Sequence, residues 1–242
     1  MELLSSIFTL STAQTALELG CVYALVALAL FLSYSILNIA DLSTDGCFTL
    51  GCAVCCQVTL MGHPFLGLLA AMAAGVLSGY ITAFLQTRLG VESILAGIIV
   101  NTGLYTINLM AMGFSSTLSV FKCDTIFSLA KSALSGVLGG ALAGWSKLLV
   151  AAVIALTVAL LLTWFLKTRL GLSIRATGDS PDMIRASSVN PAFTITVGLC
   201  ISGSLTALSG AVLAQYQKSC DINLGTGMVT IALASLIIGE TL

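Results

Sequence analysis

Charged residues are scarce in this chain of 242 residues, which holds nine Lys or Arg and ten Asp or Glu, or 8% of the sequence. An ordinary soluble domain is about 25% charged. Hydrophobic residues make up 58% and the mean hydropathy is +1.09, which is more apolar surface than a soluble globule of this length can bury. The shortage of charge therefore excludes a soluble domain and predicts a membrane protein.

Three further shortages exclude classes of function. The single histidine, His63, lies in a polar turn, so no histidine base is placed to activate a nucleophile, which argues against an intramembrane enzyme. No basic face interleaved with aromatic residues supports nucleic-acid binding. The Gly-rich sequence of a nucleotide-binding P-loop is also missing, so any ATP-driven activity would need another chain.

Eight cysteines are present, and six of them fall in apolar runs, where a thiol is most simply a small packing residue. Cys52, Cys55 and Cys56 share one helical face, but no histidine or carboxylate stands at the spacing that a metal site would use. We therefore predict no metal and no cofactor. Cys123 and Cys220 fall in loops expected outside the membrane, where a disulfide between them stays open.

Seven apolar runs predict an all-α, polytopic transmembrane helical bundle, with residues 1–242 forming a single transmembrane domain. The second run is shorter than the roughly 20 residues of a straight crossing. The last stops at Leu242 without a polar flank, so we expect about six spans, a partial seventh, and a chain cut at its C-terminus. Residues 125–142 are expected to form a helix at the membrane interface. The runs cover residues 17–36, 47–61, 65–85, 94–112, 148–166, 193–213 and 228–242.

Polar residues inside these runs or just before them are the candidates for a translocation pathway. Asp41 and Asp45 precede the short second run, which predicts either a helix broken within the membrane or two helix caps at its surface. Asn101, Tyr105 and Asn108 recur at i, i+4 and i+7 in the fourth run, with Thr102 and Thr106 beside them. This stripe must face protein or water, either as a pathway or as hydrogen-bonding contacts between helices.

A polar island at residues 167–190 carries four of the nine basic residues. Basic residues next to a span stay on the cytoplasmic side, so the island sets the orientation of the chain. Ser180 is a suitable N-cap, Pro181 and Asp182 suit the first turn, and Asn190 ends the pattern, which predicts a short helix over residues 181–188.

Four blocks of sequence resemble, in order, those of bacterial ABC importer permeases, the group that contains branched-chain amino acid and ribose permeases. The resemblance covers nearly the whole chain, although related permeases continue for about two further spans. Within the group, the second and third blocks look most like the subgroup predicted to import aromatic amino acids. The blocks are ELGCVYALVAL from Glu18, DLSTDGCFTLG from Asp41, LAGIIVNTGLYTINL from Leu95 and IRATGDSPDMIRA from Ile174.

The resemblance implies that residues 167–190 form a coupling loop that contacts an ABC ATPase. Its short helix would dock in a groove of the ATPase, with Arg175, Gly178 and Asp179 shaping the approach. The residues implied to make the contacts are Pro181, Asp182, Met183, Ile184 and Arg185.

The resemblance further implies a non-catalytic, multi-pass subunit of the bacterial inner membrane that imports a small polar solute, expected to be an amino acid. Its implied partners are cytoplasmic ABC ATPase subunits, a second permease as a homodimer, an extracytoplasmic substrate-binding protein and membrane lipid. Asp41, Asp45, Asn101, Tyr105 and Asn108 would line the pathway or its hinge. The alternatives are a sugar or nucleoside permease of the same group and an ion-coupled transporter that uses Glu18, Asp41 and Asp45.

Overall fold

The computed structural model describes residues 10–121, 123–138, 145–180, 184–185 and 190–241. The first half of the chain forms four helices. Their bounds are α1 Leu10–Leu30, which continues as a π-helical turn over Phe31–Ile36, then α2 Thr44–Leu60, α3 Pro64–Arg88 and α4 Ser93–Ala111.

The second half adds five helices and two short strands in the described residues. Their bounds are β1 Thr117–Ser119, α5 Ile126–Leu138, α6 Ser146–Leu166, α7 Arg169–Asp179, α8 Pro191–Gln217, β2 Ser219–Asp221 and α9 Met228–Thr241. The strands pair antiparallel, with Leu118 opposite Cys220. We call the side of the bundle that carries α7 the α7 end.

Five helices of the described chain are long and apolar enough to cross a membrane, which confirms the all-α polytopic bundle. They are α1 with its π-helical turn, α3, α4, α6 and α8. The second predicted run is a helix of 17 residues, and the last is a helix of 14 residues. Both are shorter than a straight crossing requires.

Helix α8 forms the centre of the bundle and packs against α1, α2 and α3. Small residues allow this, since a Cβ on Gly75 of α3 would meet the carbonyl oxygen of Gly203 on α8. Hydroxyl groups add bonds between helices: Ser202 Oγ donates to the Ala29 carbonyl at 2.9 Å, and Ser209 Oγ donates to the Val22 carbonyl at 2.7 Å. Close backbone contact and such hydrogen bonds hold helices together in lipid, where apolar burial gives little driving force.

The polar island differs from its prediction, because α7 occupies residues 169–179, which were expected to be part of a loop. Thr168 caps this helix by accepting a hydrogen bond from the Gly171 N–H at 3.3 Å, and Ile174 buries its side chain against the bundle. Of the predicted helix over residues 181–188, residues 184 and 185 are helical, and the rest lies outside the described residues.

Helix α5 lies within residues 125–142, the range predicted for an interfacial helix, while residues 139–142 of that range lie outside the described residues. Cys123 and Cys220 are free thiols, so the disulfide left open by the sequence is not formed. Cys220 instead contacts Cys52 and Cys56 on the face of α2 that points towards the strand pair. Cys52 Sγ also donates to the Gly210 carbonyl at 3.0 Å, as expected of a packing residue.

Candidate translocation pathway

A cavity of about 280 Å³ lies between α2, α4 and the loop that follows β2. We call it the α4 cavity. Four of the five residues predicted for the pathway line it: Asp45, Asn101, Tyr105 and Asn108. Thr102 lines it as well, whereas Thr106 lies on an exposed part of α4.

The α4 side of the cavity combines one anchored amide with a more open aromatic ring. Asn108 is only 2% exposed, and its Nδ2 donates to the Gly46 carbonyl at 3.1 Å. A Cβ on Gly46 would lie 2.6 Å from Asn101 Oδ1, so glycine at this position lets α2 approach α4 closely. Tyr105 is 52% exposed. The predicted stripe therefore both joins two helices and lines a cavity.

Asp45 lies in the first turn of α2, but its carboxylate caps a different helix. Oδ2 accepts a hydrogen bond from the Gly227 N–H at 3.0 Å, and Oδ1 accepts one from the Val229 N–H at 2.9 Å. Thr49 Oγ1 accepts a third from the Gly225 N–H at 3.1 Å. A carboxylate at a helix N-terminus satisfies amides that have no partner within the helix and complements the helix dipole. Asp45 thus fixes the start of α9 to α2.

Asp41 is buried outside the α4 cavity, in the non-helical segment 37–43 that joins α1 to α2. We call this segment the linker. Asp41 Oδ1 accepts hydrogen bonds from the Ser43 N–H at 2.9 Å and from Ser43 Oγ at 2.7 Å. Ser43 Oγ lies 3.3 Å from Thr82 Oγ1 on α3. Asp41 therefore shapes the linker and holds it near α3, while Asp45 reaches the cavity.

A second cavity, of about 770 Å³, lies at the α7 end. Its lining includes Ile39 of the linker and Ser93 of α4. Farther along the chain, Asp45, two residues after the linker, and Asn101 of α4 line the α4 cavity. Between them the linker touches α4, since a Cβ on Gly97 would lie 2.7 Å from the Leu42 backbone nitrogen. In both parts of the chain, the contact between Leu42 and Gly97 therefore lies between the residues that line one cavity and those that line the other.

Helix α7 touches the beginning of this linker. A Cβ on Gly178 would meet the carbonyl oxygen of Ile36 and would lie 3.1 Å from Leu37 Cα. Gly178, predicted to shape the approach to an ATPase, therefore lies against the π-helical turn that leads into the linker. Single-turn π-helices are frequent at functional sites in helices.

The other predicted coupling residues divide by exposure. Arg175, Asp179 and Arg185 are exposed, while Ile184 is buried. Pro181, Asp182 and Met183 lie outside the described residues. Arg175 and Asp179 are one helical turn apart on α7, so they share a face.

Sequence reasoning missed the contact of Leu42 with Gly97 and the loop that completes the α4 cavity. One signal for the first is that Ser93, Gly97 and Asn101 recur every four residues on one face of α4. The loop gave no comparable signal. Its approach to α2 depends on Gly225, where a Cβ would meet the carbonyl oxygen of Asp45.

The family described as "Branched-chain amino acid transport system / permease component" matches residues 13–241, nearly the whole chain. The chain belongs to this permease family. The permease is therefore a component of a transport system in the ABC permease superfamily and a multi-pass protein of the bacterial inner membrane. This confirms the resemblance found in its four sequence blocks.

Individual relatives of the permease carry different names. It is 32% identical to the tyrosine transport system permease protein of Clostridioides difficile (strain R20291), over 91% of its own length and 70% of the relative's. It is 32% identical to an uncharacterized protein of Rickettsia prowazekii (strain Madrid E), over 93% and 76%. It is 31% identical to the D-allose transport system permease protein AlsC of Escherichia coli (strain K12), over 83% and 59%. No solved structure matches the chain.

Proposed function

We propose that the chain is the membrane-spanning subunit of an ATP-driven importer for a small polar solute, an amino acid being the preferred class. The observation that carries the proposal is the α4 cavity, where four polar residues picked out within or beside apolar runs lie together. Its volume of about 280 Å³ suits a small solute. The name of the tyrosine transport system relative supports an amino acid.

In this proposal two permeases act with two cytoplasmic ATPases and an extracytoplasmic substrate-binding protein. The α7 end faces the cytoplasm because α7 and its flanks carry Lys167, Arg169, Arg175 and Arg185. The exposed side chains of Arg175, Asp179 and Arg185 form the described part of the coupling surface for the ATPase.

Movement of the coupling surface would reach the linker through the contact of Gly178 with Ile36. Displacement of Leu42 from Gly97 would then join the α4 cavity to the cavity at the α7 end. Closure of this contact keeps the solute on one side, and its opening delivers the solute to the other. The permease itself makes and breaks no covalent bond in this cycle.

The ion-coupled alternative is disfavoured by how the three candidate carboxylates are held. Glu18 accepts hydrogen bonds from the Tyr216 hydroxyl at 2.7 Å and from Gln14 Nε2 at 3.0 Å. Asp41 is bonded within the linker, and Asp45 caps α9. Each carboxylate is hydrogen-bonded to donors that are close in space, and the three sets of donors lie in different parts of the fold. This arrangement suits structural roles better than a shared ion site.

The proposal is tested by reconstituting the permease in vesicles with the partner ATPase and binding protein of the proposed importer. We expect uptake of labelled L-tyrosine that requires ATP and is lost with a hydrolysis-deficient ATPase. The variant Arg185→Glu should reduce recovery of the ATPase with the permease, whereas Lys218→Glu, in the turn before β2, should not. Uptake by the permease alone that stops when ion gradients are collapsed would overturn the proposal.

A sugar is the second candidate, because a relative that is 31% identical is named a D-allose permease. The same vesicles, loaded with labelled D-allose in place of L-tyrosine, distinguish the two solutes. ATP-dependent uptake of allose without uptake of tyrosine would retain the importer and replace the substrate class.

A further inference from the structure

The α4 cavity has a lining of uneven charge. Among the described residues that line it, Asp45 is the one charged side chain, and three asparagines contribute amides: Asn101, Asn108 and Asn223. No Lys, Arg or His of the described chain is part of the lining. The described lining therefore offers both donors and acceptors, and its one charged group is negative.

Asn108 supplies an acceptor that has no partner within the described chain. Its Nδ2 must face the Gly46 carbonyl, because a carbonyl oxygen can only accept, and this fixes the orientation of the amide. The opposite atom, Oδ1, is buried and makes no hydrogen bond there. A buried acceptor left without a donor is unfavourable, and in native proteins it often marks a place where something else binds.

The carboxylate of Asp45 adds a fixed anion to the same lining. Its two bonds come from neutral backbone N–H groups, which do not cancel its charge. Inside a membrane protein, where the effective dielectric constant is low, such a charge attracts a cation more strongly than it would in water. An ammonium group has three N–H donors, no acceptor and a positive charge, so it complements both features.

We propose that the α4 cavity binds the protonated amino group of the transported solute, with Asn108 Oδ1 accepting one of its N–H bonds and Asp45 supplying the opposite charge. Tyr105, half exposed at the same lining, is placed to contact the apolar part of the solute. The proposal rests on the permease function proposed above and names the chemical end of the solute that this site recognises.

The test measures protection of the cavity directly, so it needs no transport. A Thr102→Cys variant of the full chain is labelled with a maleimide, and labelling is read at residue 102 by peptide mass spectrometry, which separates it from the native cysteines. The probes are L-tyrosine, tyramine and the neutral 4-propylphenol. We expect tyrosine and tyramine to slow labelling at concentrations about tenfold lower than 4-propylphenol requires.

Replacement of Asn108 by Leu in the same background should weaken this preference for the amines, because Asp45 remains, while Thr106→Val, on the same helix outside the lining, should keep it unchanged. The ratio between probes is compared within each variant, so a general loss of folding does not imitate the effect. If Asn108→Leu fails to fold, the proposal is decided by the ratio of protecting concentrations for tyramine and 4-propylphenol in the Thr102→Cys protein.

Equal protection by 4-propylphenol and tyramine would overturn the proposal, as would an unchanged preference in Asn108→Leu. The importer proposal fails by a different result, which is the absence of ATP-dependent uptake in vesicles. Protection by amines without uptake would contradict the importer alone, and uptake without a preference for amines would contradict the amine site alone.

Discussion

The two hydrogen bonds that Asp45 accepts from the start of α9 can be tested directly by substitution. In Asp45→Ala the amides of Gly227 and Val229 lose the carboxylate that accepts from them at 3.0 and 2.9 Å. In Asp45→Asn one oxygen remains as an acceptor, while an NH₂ group faces the other amide. The variants therefore form a graded series in which Ala removes both bonds and Asn removes one together with the charge.

The size of the effect follows from the two bonds. Hydrogen bonds to a charged group are worth about 1.5–3 kcal/mol, and replacement of a capping side chain by Ala costs about 0.5–2 kcal/mol. Two hydrogen bonds to a charged group would together be worth about 3–6 kcal/mol, which is more than the usual cost of losing a cap. Asp45 is half-buried, so we expect a cost between these two values: about 2–4 kcal/mol for Ala and about half of that for Asn. A change of 2 kcal/mol raises the open population of the α9 start about thirtyfold.

Amide hydrogen exchange of the permease in nanodiscs measures this opening, with the Val229 amide as the most informative position. The matched control is Asp221→Ala, since Asp221 Oδ1 accepts from the Asn223 N–H at 2.8 Å in an exposed turn. That control should change exchange only near residue 223. Unchanged exchange at Val229 in Asp45→Ala would refute the capping role.

Three further substitutions test the packing that surrounds the pathway. Gly97→Ala should push the linker from α4 and make the linker more accessible to maleimide at an introduced cysteine, whereas Gly103→Ala, whose added Cβ meets open space, should not. Gly178→Ala should lower ATP-dependent uptake with the ATPase still bound, while Gly20→Ala, also in open space, leaves uptake intact; normal uptake in the first would remove the proposed link from α7. Gln215→Leu removes the acceptor of the Ile126 N–H and a donor to the Pro64 carbonyl, so it should destabilise the fold by about 1–3 kcal/mol and lower the melting temperature; an unchanged melting temperature would contradict this.

The apolar runs predicted the membrane helices well because length and composition decide which segments can cross a bilayer. The fourth run was predicted as residues 94–112, and α4 spans Ser93–Ala111. The stripe of Asn101, Tyr105 and Asn108 could be predicted equally well, since helical spacing places the three residues on one side of the helix whatever they pack against.

Helix α7 could not be read from the same signals. Its residues carry the charge of a surface loop, and what makes it a helix is the Thr168 cap together with Ile174 packed on the bundle. The roles of the two acids were undecided for a related reason. Asp41 bonds to Ser43, two residues away, but Asp45 bonds to Val229, and a partner so distant leaves no local pattern. The contact of Leu42 with Gly97 is likewise a matter of tertiary packing.

The capping of α9 by Asp45 also bears on how the chain assembles in the membrane. Ribosomes synthesise the chain from its N-terminus, so Asp45 is made 184 residues before Val229. Until that amide arrives, the carboxylate has neither of its two backbone donors. The early helices therefore enter the bilayer with an anion that needs water or a temporary partner. This need ends when α9 arrives and its first amides donate hydrogen bonds to the carboxylate.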